Sequence, residues 1–159
     1  MSIIDKARSF LGGHGVTVRH VTIEDKDPST VQLALSDAGV KARFAVIADK
    51  PSTVLARKSE LVMEIAHAEG RFERVVLGRD VAPLPDIERT SAVKYPYELG
   101  AGFEVIDELD IVFDGSIEAL LAQRRLTVGV GLRFFLRTLV DVQGSPFDPE
   151  VIDELPLRP

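Results

Sequence analysis

The chain has 159 residues, 45% of them hydrophobic, which suffices to bury the core of one domain and argues against disorder. Lys and Arg number 19 against 25 Asp and Glu, a formal net charge of −6 without a basic run, so nucleic acid and anionic lipid are poor partners. The absence of cysteine excludes disulfides and thiol chemistry. No apolar stretch reaches the ~18 residues of a membrane span, and the start lacks an apolar signal core, so a cytoplasmic protein is expected.

Residues 2–11 read as a short helix that Ser2 can cap, with Ile3, Ala7, Phe10 and Leu11 on one face and Gly12-Gly13 at its end. A strand follows from Val16 to Glu24. Val16 and Val18 share one parity, Val21 and Ile23 the other, and such a switch marks a bulge. Val31, Leu33 and Leu35 alternate, then Val40, Ala42, Phe44, Val46 and Ala48, with a turn at 36–39. A hairpin over 31–48 is expected. A short strand at 53–58 and a better one at Leu61, Met63 and Ile65 follow, the latter ending near His67. Phe72 to Leu77 returns as the second hairpin. Residues 78–91, with Gly78, Pro83 and Pro85, read as a loop. Pro96 confines the run Val93, Tyr95, Tyr97, Leu99 to a sheet edge.

Strand pieces at 103–105 and 109–113 flank the acidic run IDELD, and Asp114-Gly115 is a turn pair. Residues 116–125 are either a helix capped by Ser116, with Ile117, Leu120 and Leu121 inward, or an irregular crossover. The clearest alternation spans LTVGVGLRFFLRTLVDV, 126–142. Its even positions are apolar but for Thr138, while Arg133, Arg137 and Asp141 occupy odd ones. That is a strand with one buried face, long enough to require a bend at Gly129 or Gly131. It carries no blocking proline, so its edge is expected to be open to another chain. Closely spaced turns and short strands predict an antiparallel β-sandwich over 1–159, with a closed barrel as the alternative. The expected core includes Leu33, Phe44, Val46, Leu61, Met63, Leu132, Phe134 and Leu136.

Functional chemistry is sparse. His14, His20 and His67 lack short metal-binding spacing and read as surface or half-buried strand residues. GxSxG is absent, and no catalytic residue, cofactor or metal is assigned. Asp107, Asp110 and Asp114, with Glu108, form the one cation-like cluster. Extended backbone would separate Asp110 from Asp114 by ~13 Å, and the other reading is a solvated acidic edge. Arg133, Phe135 and Arg137 share the outer face of the long strand. They fit a protein partner or self-association, or else pair with acids on the next strand.

FLRTLVDV (135–142), the pair Asp148-Pro149, VIDELPL (151–157) and the opening FLGGHGVTV together resemble the sporulation-control proteins of the arrestin-like superfamily. The resemblance covers the two ends of the chain. It implies an immunoglobulin-like, arrestin-type sandwich with one or two short helices. The implied role is a non-enzymatic adaptor or scaffold in bacterial stress or developmental regulation, binding another protein through a strand edge or loop end. Family members carry two sandwiches, and this chain has room for one. The alternative is a small-ligand or metal-ion-binding β domain using residues 107–114.

Overall fold

A computed structural model describes residues 15–84, 93–129 and 131–158. The expected helix at 2–11, His14 and part of the 78–91 loop lie outside the described residues. The period-two runs form strands β1 (Val16–Ile23), β2 (Gly39–Ala48), β3 (Ser52–Ala66), β4 (Phe72–Ala82), β5 (Tyr97–Leu99), β6 (Glu104–Val112), β7 (Leu132–Val142) and β8 (Glu150–Glu154). They make two antiparallel sheets. One has the order β1-β2-β6. The other has the order β4-β3-β7-β8, with β5 added to β3 beyond the end of β4.

The buried faces of both sheets share one core. Phe44, Val46, Leu109 and Ile111 come from one sheet, and Leu61, Met63, Phe134 and Leu136 from the other. Of the expected core residues only Leu132 is partly buried, because it opens β7 opposite Ile65 near the end of β3. The parity switch in β1 is a register shift between His20 and Thr22. Residues 116–125 contain helix α1 (Ile117–Gln123), whose cap Ser116 accepts a bond from the Ala119 N–H at 3.1 Å.

Several boundaries differ from the sequence reading. Val31–Leu35 is not a strand of a hairpin. Leu33 is buried, forms a parallel bridge with Leu157 and is held by Pro156 and Arg158, so the C-terminal tail is its partner. The two pieces at 53–58 and 61–67 are one strand, and the two around the acidic run merge into β6. β4 continues to Ala82, through residues read as loop. Gly78 is required there by close approach: a Cβ would lie 2.6 Å from the Val112 carbonyl oxygen and 2.7 Å from Ile111 Cγ2. The long strand starts only at Leu132, after Gly131 at φ +104°.

The largest correction concerns β7. It is an inner strand, paired with β3 along most of its length and with β8 from Phe135 to Leu139. Its edge is therefore not open to another chain. Alternation reports which face of a strand is buried, and carries no information about which strands lie beside it.

Candidate functional site

Arg133, Phe135 and Arg137 project from the outer face of the five-stranded sheet, as the odd parity of β7 requires. The structure surrounds them with residues the sequence reading did not single out. The Arg79 Nε donates to Glu60 at 2.7 Å. Glu60 also lies 3.8 Å from Arg137, whose Nε donates to Glu150 at 2.8 Å. A second chain of charges runs beside it. Arg74 lies 3.4 Å from Glu64, the cross-strand neighbour of Arg133, and Arg133 donates two bonds to Glu154 at 2.9 and 2.8 Å. Both chains run basic, acidic, basic, acidic across β4, β3, β7 and β8.

Between them lies an apolar row, Val76, Val62 and Phe135, in register. The Arg133 guanidinium covers the Phe135 ring at 4.9 Å, leaving Phe135 9% exposed. The Arg133 bond is the main reason the Glu154 carboxyl sits below its ordinary range, against a smaller opposing effect of burial. The pairing of both arginines with acids on the next strand is thus the geometry realised. A signal for it was present in the sequence: like charges four apart at Glu60/Glu64, Arg133/Arg137 and Glu150/Glu154. Arg74 and Arg79 are five apart because the β3–β4 ladder shifts register at Leu61/Val62.

The acidic run does not form a solvated edge throughout. Asp107 is buried beneath β6, where Arg57 of β3 reaches it at 3.2 Å and the Tyr95 hydroxyl donates to it at 2.6 Å. Arg57 also lies 3.3 Å from Asp80, donates to the Glu108 carbonyl at 2.9 Å and stacks on the Phe44 ring. Asp110 has the opposite parity and faces out, and Asp114 lies in the turn beyond β6. Among the described residues no three His, Asp or Glu side chains are placed to hold a metal ion. Burial, then the Asp107 carboxylate, pushes the Tyr95 phenol far above its usual range. Tyr97 is raised by the same two causes, in that order.

His20 is buried, not superficial. Its Nδ1 meets Asp153 at 2.7 Å and its Nε2 meets Thr138 Oγ1 at 2.9 Å. Thr138 in turn meets Ser59 Oγ at 2.9 Å. A hydroxyl, an imidazole and a carboxylate in line can generate a nucleophile. Here Ser59 and Thr138 have no exposure, so no substrate reaches them. The chain instead satisfies polar groups inside the core. His67 is exposed and bonded to Glu73 at 2.9 Å. An open cleft of about 660 Å³ lies where the β2–β3, β5–β6 and β7–β8 connections meet, between Lys50 and Glu98. Among the described residues no helix is long and apolar enough to cross a membrane.

No protein-family model matches the chain, and no curated protein is similar to it in sequence. Among solved structures, Spo0M, the sporulation control protein from Bacillus subtilis, aligns with 91% of this chain at a TM-score of 0.60 and 13% identity. The chain spans 50% of that protein. A Pseudomonas fluorescens alkylpurine DNA glycosylase, AlkC, bound to DNA containing an abasic site analogue, aligns with 91% of this chain and 31% of its own at a TM-score of 0.38 and 13% identity, a likeness too loose to argue from. The chain therefore shares the fold of part of a sporulation control protein, in agreement with the resemblance read from its two ends.

Proposed function

We propose that this protein is a non-enzymatic regulatory adaptor, a single arrestin-type, immunoglobulin-like sandwich that binds another protein in the cytoplasm. The observation that carries this reading is the outer face of the five-stranded sheet. Two chains of ordered charges flank an apolar row that contains Phe135, and arginine and aromatic residues are enriched at binding hot spots. Because β7 lies inside its sheet, a partner on this face meets side chains and not free backbone. The sealed His20–Thr138 arrangement supports a non-enzymatic role, and the fold shared with a sporulation control protein supports a regulatory one.

The test is capture from the native cell with the wild type and with Arg74→Glu/Arg133→Glu. Both arginines are more than half exposed, so the fold should survive, which a melting curve checks. The expected result is a partner held by the wild type and lost by the variant. A partner retained by the folded variant would place the binding site elsewhere.

A further inference from the structure

We infer that the partner fitted to this face is a second copy of the chain, packed face to face about a twofold axis that runs parallel to the strands, between β3 and β7. The inference rests on the reading of the outer face as a binding surface, and names its occupant. The order of the charges across the four strands selects this partner. A rotation about that axis places β4 over the second copy's β8, and β3 over its β7. Every basic strand of the face then meets an acidic one. Glu64 lies over Arg133 and Glu60 over Arg137, in the same register rows that pair them within one chain. Arg74 and Arg79 approach Glu154 and Glu150, which stand two residues along β8 from the Arg133 and Arg137 rows. Val62 lies over the position of Phe135 at the centre, twice by symmetry, with the Arg133 guanidinium between it and the ring.

The alternative twofold, at right angles to the strands in the plane of the face, fails. It sets β4 on β4 and β3 on β3, so arginine meets arginine and glutamate meets glutamate. Like charges so juxtaposed exclude an arrangement. The pattern thus selects one dimer as well as permitting it.

Size sets the strength. Four strands ~4.8 Å apart and about six residues at ~3.3 Å each cover on the order of 400 Å². That is below the ~800 Å² per partner of a standard interface, so the dimer is weak, with dissociation in the micromolar range. The charges fix its orientation and its salt dependence, while Val62 packs on the Arg133 guanidinium that covers Phe135 at its centre.

Two measurements test this. The first is sedimentation velocity of the wild type at rising concentration, in low and high salt. The expected result is reversible dimerisation, weakened about tenfold or more by ~0.5 M salt. A protein that stays monomeric to ~1 mM in low salt, far above the micromolar range in which a small specific interface associates, overturns the inference. Loss of a captured protein in Arg74→Glu/Arg133→Glu would then still support the adaptor reading, with a different protein on the face. The second measurement uses the absence of native cysteine. Arg74→Cys and Glu154→Cys replace side chains 72% and 44% exposed, so neither threatens the fold. With a short bis-maleimide, the mixed proteins should cross-link to each other, while Arg74→Cys alone should not cross-link to itself. Efficient self-cross-linking of Arg74→Cys, or a dimer that gives no mixed cross-link, overturns the inference.

Discussion

The Arg57 guanidinium on β3 lies 3.2 Å from the Asp107 carboxylate on β6, so a salt bridge joins the two sheets inside their shared core. Neither side chain meets appreciable solvent, at 0% and 1% exposure. A charge in such a place is tolerated only with its partners. Arg57 has Asp107, Asp80 and two backbone carbonyls, those of Asp80 and Glu108. The backbone N–H groups of Glu108 and Asp110 donate to the carboxylates from the other side, at 2.7 and 2.8 Å. The edge-facing amides of β6 are thereby used within the fold, which blunts that part of the edge.

Removing one member of the cluster should expose its cost. Arg57→Met leaves two buried carboxylates without their cation and is expected to lose ~3–5 kcal/mol of stability, read by urea denaturation. A loss below ~1 kcal/mol would show that water or a side-chain shift replaces the guanidinium.

The two tyrosines should respond in opposite ways. Tyr95 donates to Asp107, so Tyr95→Phe removes a bond to a charged group and should cost ~1.5–3 kcal/mol. The Tyr97 hydroxyl is buried and has no hydrogen-bond partner among the described residues. Tyr97→Phe should be neutral or slightly stabilising. Equal losses from both variants would contradict the geometry.

Stability should fall in alkali. Both phenols titrate above their ordinary value in the folded protein, because of burial first and Asp107 second. The unfolded chain releases these protons near pH ~10 and the folded one only higher, so the contribution is complete below ~10 and is lost as pH rises beyond it. With two tyrosines and no tryptophan in the chain, tyrosinate absorbance reports on these rings directly. It should appear together with unfolding. Ionisation of both phenols near pH ~10 in a still-folded protein would refute the prediction.

Gly78→Ala tests the corner where β4 passes β6. The added methyl meets the backbone carbonyl of Val112, which cannot swing aside as a flexible side chain would. The expected loss is ~1–3 kcal/mol by thermal or chemical unfolding. Gly70→Ala is not a fair control, since its φ of +74° adds strain of its own; Gly129→Ala, with open space around it, is.

Much of this was legible in the chain. The pleat has a period of two, so the alternation of β7 placed Phe134 and Leu136 inward and Arg133, Phe135 and Arg137 outward without reference to any other strand. The parity switch after His20 located a bulge for the same reason, and Ser116 before Ile117 offered a helix start through local capping chemistry, with an irregular crossover as the other reading; the structure forms the helix. These are properties of a strand or helix end considered alone. The neighbours of β7 were not legible, nor was the role of Leu33 as partner to the tail at Leu157, or that of Asp107 as partner to Arg57, fifty positions away. Each depends on which segments the fold brings side by side. Hydrophobic burial is non-directional: it rewards covering an apolar face and is nearly indifferent to what covers it. The sequence by itself therefore determined the faces of the strands, and the tertiary structure alone decided which charges meet across them.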